Sequence, residues 1–152
     1  MYSAILLIHS WLRWVVLIAG LIAIVRGFSG WSGVKSWRPS DDRAGFWFIT
    51  TLDIQLLLGL WLYFFLSPVT TQALSDFGSA MRSPGIRFWA VEHVFGMVVG
   101  IALAHLGRAR VRKVDSYRKH RTAAIFFGLA LLAVLASIPW PGMPAGRVLF
   151  RW

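Results

Sequence analysis

The sequence lacks cysteine altogether and has few acidic residues. None of its 152 residues is cysteine, and only six are Asp or Glu. Without cysteine there are no disulfide bonds, no iron–sulfur clusters and no thiolate metal ligands. Paired carboxylates, a Ser-His-Asp set and a glycine-rich phosphate loop are also missing from the sequence, and no internal repeat is found. The sequence therefore does not predict stand-alone catalysis on a substrate.

Charged residues of both signs are scarce, and apolar residues are abundant. Charged residues make up 14% of the chain, hydrophobic residues 57%, and the mean hydropathy is +0.63. Soluble domains have about 25% charged residues, so this composition indicates an integral membrane protein whose partner is the lipid bilayer. The net charge of +10 does not indicate nucleic acid, because basic loops beside apolar runs are typical of membrane proteins.

Four apolar runs predict an all-α membrane protein with four transmembrane helices. The predicted spans are about residues 4–25, 46–66, 88–107 and 122–138. The first run lacks a basic start and is too long for the apolar part of a signal peptide, so it is kept as a helix. Short connections predict an up-down-up-down bundle in one membrane domain covering residues 1–152.

Lys and Arg are distributed unevenly between the connections. Residues 26–45 and 108–121 carry eleven of them, whereas residues 67–87 and the tail after residue 141 carry four. The positive-inside rule predicts that the richer side is cytoplasmic and that both termini face outward. The expected location is the bacterial inner (cytoplasmic) membrane.

The four histidines sort by depth into two pairs. His9 and His93 lie near the outer starts of the first and third spans, and His105 and His120 lie near the cytoplasmic side. A helical rise of 1.5 Å per residue puts the two levels roughly 18 Å apart. Each pair brings together histidines from two different helices.

Two imidazoles at one depth inside a four-helix bundle fit a metal centre. With no cysteine and few carboxylates, a haem iron with two axial histidines is the best match, and covalent attachment of that haem is excluded. Zinc would need two further ligands. Copper is the lesser alternative, since Met97 follows His93 by one helical turn. The sequence predicts haem b at His9 and His93, with a second haem at His105 and His120 as an option.

Small residues share the helix faces of the outer histidines. Gly96 and Gly100 lie on the face of His93, and Gly20 lies on the face of His9. Such a face leaves room for a flat macrocycle, so the three glycines are candidate cofactor-binding residues. The alternative is direct helix packing through small residues.

Arg13 lies one turn after His9 and is a candidate partner for haem propionates, with Arg87 as a second candidate. An alternative role for Arg13 is an intramembrane ion pair with Glu92. Glu92 has a second possible partner, the ring N–H of a liganding histidine.

The cytoplasmic pair has weaker geometry. His105 follows His93 by 12 residues, about 120° around the helix, whereas two haems on one helix need ligands on nearly one face. A hydrogen bond to Asp53 is the alternative for His105, and Asp53 has Arg26 as another potential partner. The alternative for His120 is a solvated position in its basic run.

Three stretches resemble a known family. LIHSWLRW (Leu7–Trp14), AVEHVFGM (Ala90–Met97) and SIPWPG (Ser137–Gly142) are similar to a compact bacterial family of cytochrome-b-like membrane proteins, and the arrangement resembles small four-helix b-type cytochromes. The resemblance covers most of the chain. It implies bis-histidine haem ligation and electron transfer across the membrane, with ligands at His9 and His93 and further ligands at His105 and His120.

Three functions follow as expectations. The first is a haem b electron-transfer protein that works with a membrane redox complex and with quinone as an option. The second is an accessory subunit of a respiratory or photosynthetic complex that holds a chlorophyll-type pigment or no cofactor. The third is a small transporter or metal-handling protein, but the second and fourth spans offer only Asp53 and Gln55 for a polar pathway.

Overall fold

The computed structural model describes residues 1–151, which form helices joined by short connections. Four helical stretches are long and apolar enough to cross a membrane. They are Tyr2–Ser29, Pro39–Leu66, Pro84–Lys113 and Ser116–Ala136. The prediction of an all-α protein with four membrane-spanning helices is confirmed.

Two of the four stretches combine α-helical and π-helical segments. A π-helical turn, Leu62–Leu66, continues the second stretch, and another, Phe88–Glu92, lies inside the third. The α-helices in chain order are α1 Tyr2–Ser29, α2 Pro39–Trp61, α3 Pro68–Ser75, α4 Phe77–Arg82, α5 Pro84–Arg87, α6 His93–Lys113 and α7 Ser116–Ala136.

The helices extend beyond most of the predicted apolar runs. Polar residues continue a helix at the membrane surface because the backbone hydrogen bonds do not depend on side-chain polarity. The start of α2 shows this, since Pro39 occupies its first position and Asp41 Oδ2 accepts the N–H of Arg38 at 2.9 Å. In contrast, α7 ends at Ala136, shortly before Pro139, because a residue that precedes proline disfavours the helical conformation.

The connection predicted as a polar loop, residues 67–87, contains the short helices α3, α4 and α5. The first turns of α3 and α4 are capped by side chains. Ser67 Oγ accepts the N–H of Thr70 at 3.4 Å, and Asp76 Oδ1 accepts the N–H of Ser79 at 3.1 Å. This connection is therefore folded against the bundle and contributes to its surface.

The four long helices form a ring with one loose seam. Helix α1 packs on α2 and α7, and α6 packs on α7, whereas α2 and α6 touch only sparsely. A Cβ on Gly100 would lie 3.0 Å from Val134 Cγ2 and 3.1 Å from the Ala130 carbonyl oxygen, so α6 and α7 approach closely. The seam between α2 and α6 is the side on which the bundle opens.

Both ends of the described chain lie at one end of the bundle. The Trp11 Nε1–H in α1 donates to the Arg151 carbonyl at 3.1 Å. We call this end the terminal end. The opposite end, which carries residues 30–38 and the junction of α6 with α7, is called the basic end.

Apolar side chains fill the interior and also cover the outside. Phe48 and Leu52 are fully buried, whereas Leu57 and Leu132 are about two-thirds exposed. A soluble protein rarely presents large contiguous apolar surfaces to water, so this outer surface fits contact with lipid. The fold is that of a multi-pass membrane protein.

Candidate cofactor-binding site

A cavity of about 140 Å³ opens at the terminal end between α1, α2 and α6, beside the loose seam. Much of its wall is apolar. The aliphatic and methionine side chains of that wall include Leu6, Leu52, Leu56, Leu60, Val94, Met97 and Ile101. Polar side chains also line the cavity, and two of them are histidines from different helices, His9 and His93. Apolar walls with a few converging polar groups are typical of ligand sites.

His93 has a hydrogen bond that fixes its tautomer. Its Nδ1 lies 2.7 Å from the Ser137 carbonyl oxygen, which can only accept a hydrogen bond. Nδ1 therefore carries the proton, and the Nε2 of the neutral ring has a free lone pair. Residues 1–151 supply no hydrogen bond to this Nε2. A ring N–H bound to a backbone carbonyl is the usual arrangement of a metal-ligating histidine.

His9 faces the same cavity from α1. Its ring packs against Gly59 of α2, where an added Cβ would lie 3.2 Å from His9 Cε1. The His9 Nδ1 is buried and has no hydrogen-bond partner among residues 1–151. Gln55 donates from Nε2 to the His9 carbonyl oxygen at 2.9 Å, while its own Oε1 is buried without a partner in that range.

Arg13 lines the cavity one turn beyond His9. Its Nη2 donates to the Leu149 carbonyl oxygen at 2.6 Å, and its guanidinium lies 5.2 Å from the Trp14 ring centre. Its Nε is buried and has no partner among residues 1–151. The alternative ion pair between Arg13 and Glu92 is not formed.

Glu92 instead binds Arg87, with 2.7 Å between its Oε1 and the arginine Nε. Both side chains are almost half exposed, and neither lines the cavity. Arg87 is therefore engaged elsewhere than at the predicted propionate position. The bond from Glu92 to a liganding histidine is also replaced, because the Ser137 carbonyl holds the His93 ring.

The two π-helical turns flank the cavity. Tyr63 in the first turn donates its hydroxyl to the Ala90 carbonyl of the second at 2.7 Å. The Tyr63 carbonyl in turn accepts the Thr70 hydroxyl at 2.7 Å. Single π-helical turns interrupt the regular hydrogen bonding of a helix and are frequent at functional sites. Here they are tied together at the mouth of the α2–α6 seam.

The three predicted cofactor-binding glycines lie at helix contacts and not on the cavity wall. A Cβ on Gly20 would lie 2.8 Å from Phe48 Cε2, and one on Gly96 would overlap Ser137 Oγ. Gly100 contacts α7 in the same way. The alternative of direct helix packing is therefore the one that the structure shows for these glycines. A different glycine, Gly59, lines the cavity.

The second pair of histidines is not brought together. His105 Nε2 lies 2.9 Å from Asp53 Oδ1, and this pair bridges α2 and α6 with both side chains about half exposed. The alternative that paired His105 with Asp53 is the one the structure shows. No hydrogen bond or ring contact joins His105 to His120 within the described chain.

His120 is completely buried at the basic end, so a solvated position was the wrong alternative for it. Its Nε2 lies 3.5 Å from Asp41 Oδ2, and its ring packs edge-on against Trp37 at 4.9 Å. Arg26 binds the other oxygen of Asp41 at 2.8 Å, so Arg26 is not the partner of Asp53. A haem bridging the two basic-end histidines has no support in this geometry.

Several residues of the site were not predicted from the sequence. The Ser137 carbonyl carries no sequence signal, since every residue has one. Nothing in the sequence distinguishes Tyr63 and Trp89 from the chain's other aromatic residues. Arg147 and Arg151 line the cavity, although the sequence placed them only in a short amphipathic tail. Their regular spacing of four residues beside Phe150 was the one available hint that the tail folds against the bundle.

Two nitrogen ligands from different helices could hold a metal-containing group here, and within residues 1–151 no three His, Asp or Glu side chains converge. His9 Nδ1, Arg13 Nε and Gln55 Oε1, which belong to cavity-lining side chains, are buried without hydrogen-bond partners among residues 1–151. Buried polar atoms normally find partners, so these three atoms are available to a bound ligand or to water.

The chain matches no protein-family model, no curated protein and no solved structure.

Proposed function

We propose that this protein binds one haem b through His9 and His93 and transfers electrons within a membrane redox complex. The observation that carries the proposal is the His93 ring, whose Nδ1–H is bound to the Ser137 carbonyl. That bond leaves the Nε2 lone pair available in a cavity that His9 also lines. Haem supplies one-electron redox chemistry when bound, and its potential depends on the axial ligands and on burial.

The chain's own residues would position the ligands and keep water out. The Ser137 carbonyl fixes the orientation of the His93 ring and raises its basicity as a ligand. Gly59 leaves room for the His9 ring, because a side chain there would press on Cε1. The apolar wall formed by α2 and α6 would bury the macrocycle, which favours the less charged state of the iron.

The same proposal includes a location and partners. The excess of Lys and Arg at the basic end supports a cytoplasmic position for that end in a bacterial inner membrane. The chain has no substrate-processing constellation in its sequence, so electrons would come from and go to other membrane subunits or a quinone. The large exposed apolar surface is compatible with both lipid and such subunits.

The test is the visible spectrum of the purified protein in mild detergent, together with haem extraction as the pyridine complex. We expect one haem per chain and a reduced-minus-oxidised spectrum with the sharp α band of a bis-histidine haem b. A colourless protein, or one whose extracted pigment is a chlorophyll-type macrocycle, would refute the proposal and favour the accessory-subunit alternative.

A further inference from the structure

Three arginines converge on the cavity from two parts of the chain. Arg13 comes from α1, and Arg147 and Arg151 come from residues 137–151, which we call the C-terminal segment. No Asp or Glu lines the cavity, and none of these arginines forms an ion pair within residues 1–151. Among the other arginines, Arg26, Arg87 and Arg108 have carboxylate partners in that range, and the remaining seven, all exposed, have none.

The C-terminal segment is held firmly against α1. The Leu149 carbonyl accepts hydrogen bonds from Arg13 at 2.6 Å and from Trp14 at 3.4 Å. The Phe150 ring stacks on the Trp14 ring with 5.2 Å between centres and 12° between planes. These contacts place Arg151 beside the cavity at a fixed position. Its charge is close enough to Arg13 for the two to repel each other.

The other end of the segment reaches the helix that carries His93. The Arg147 N–H donates to the Pro139 carbonyl at 3.0 Å, and its guanidinium lies 5.3 Å from the ring centre of Trp89. The Ser137 carbonyl, at the start of the segment, holds His93 itself. The C-terminal segment therefore spans the cavity mouth, from the His9 helix to the His93 helix.

A cluster of like charges with no counter-charge among residues 1–151 favours an anionic ligand. Guanidinium groups bind carboxylates and phosphates through paired N–H donors, and such bonds strengthen away from bulk water. The buried Arg13 Nε, which has no partner among residues 1–151, adds a donor in the same place. Much of the rest of the cavity wall is apolar, so the ligand that fits has an anionic head and an apolar body.

We propose that Arg13, Arg147 and Arg151 form a binding site for the anionic group of an amphipathic ligand whose apolar body fills the cavity. This inference rests on the proposed function in one respect, namely that the anions are the propionates of haem b. The shared chemistry is a carboxylate on an apolar body, and a fatty acid offers the same chemistry. The C-terminal segment is then part of the binding site, and it covers the ligand at the cavity mouth.

The first experiment compares haem with its dimethyl ester, which lacks both charges. The full chain, produced in haem-limited cells, is titrated with each compound and followed by absorbance. The double variant R147Q/R151Q should bind haem about tenfold or more weakly than the natural protein, because bonds to charged groups are lost. Its affinity for the dimethyl ester should be unchanged, which also shows that the variant is folded. R82Q is the matched control and should behave as the natural protein, because Arg82 lies in the connection of residues 67–87, outside the cavity lining, and donates to Ser79 Oγ.

The second experiment uses cis-parinaric acid and its methyl ester, with tryptophan emission as the signal. If the natural protein binds no haem, the proposed function fails, whereas acid-selective binding that R147Q/R151Q weakens would still support the anion site. If the natural protein and R147Q/R151Q bind cis-parinaric acid with equal affinity and also bind haem equally or not at all, the inference is overturned. Haem binding that is retained in full by R147Q/R151Q overturns it as well and leaves the proposed function standing.

Discussion

The histidines at the two ends of the bundle have different surroundings. At the terminal end, His9 and His93 line one cavity. At the basic end, His105 is bonded to Asp53, and His120 is enclosed in the protein interior. Buried polar atoms without hydrogen-bond partners among residues 1–151 occur at both ends, but those of the terminal end belong to side chains that line the cavity. Similar depth along the helices therefore does not create a pair. The rotation of each helix decides which histidines meet, and within residues 1–151 it brings His9 and His93 to one cavity.

The loss of a terminal-end histidine should have a large effect on haem binding that the loss of a basic-end histidine lacks. We expect His93→Ala to lower the haem content of the purified protein at least about tenfold, because an axial ligand disappears. The matched control on the same helix is His105→Ala, which should retain one haem per chain. The measurement is haem extracted per chain. Equal losses in the two variants would contradict the contrast between the ends.

The second prediction addresses the buried cluster at the basic end. Asp41→Asn should lower the free energy of unfolding by about 3 kcal/mol, because it leaves Arg26 and His120 next to a neutral side chain. Unfolding is measured in mixed micelles with increasing denaturing detergent.

The neighbouring Asp42→Asn is the control for that prediction. Asp42 is 43% exposed and binds Arg108 at 2.9 Å, so its replacement should cost about 1 kcal/mol or less. If both variants are equally stable, the cluster around Asp41 does not hold the basic end together.

A third prediction tests how the terminal-end histidine is supported. Gly96→Ala should lower stability by about 1–3 kcal/mol, because the new Cβ overlaps Ser137 Oγ and must push that residue aside. The displacement moves the carbonyl that holds His93, so the haem spectrum should broaden or shift in parallel.

Gly128→Ala on α7 is the matched control for Gly96→Ala. Nothing lies within 4 Å of a Cβ at Gly128, and alanine favours a helix over glycine by about 1 kcal/mol. We therefore expect unchanged or slightly increased stability. A loss as large as that of Gly96→Ala would show that helix propensity, and not the contact with Ser137, governs these positions.

The smallest expected effect concerns the pH dependence of the connection formed by residues 67–87. The side-chain and backbone hydrogen bonds from Ser79 hold the pKa of Asp76 below its ordinary value. The cap on α4 is therefore fully present above the unfolded pKa of about 3.9 and is lost as the pH falls through the lower folded pKa. The protection of the Ser79 amide against hydrogen exchange, relative to the intrinsic exchange rate at each pH, should fall in acid in the natural protein. In Asp76→Asn this protection should no longer depend on pH, while the cavity stays unchanged.

Much of the fold followed from the sequence because the bilayer imposes strong constraints. Four apolar runs had to be helices, since lipid offers no partners for backbone groups. Pro139 predicted where α7 stops to within a few residues. The position of the terminal-end histidines at one depth also followed from counting residues along helices, because the rise per residue is constant.

The sequence by itself determined the membrane class, the four spans, the absence of thiolate chemistry and the two levels of histidines. The tertiary structure alone decided which histidines face a common cavity, because helix rotation depends on close packing at contacts such as Gly96 with Ser137. It also decided that the C-terminal segment covers the site. That result depends on carbonyl groups and stacked rings far apart in the chain, and no local pattern encodes contacts of this kind.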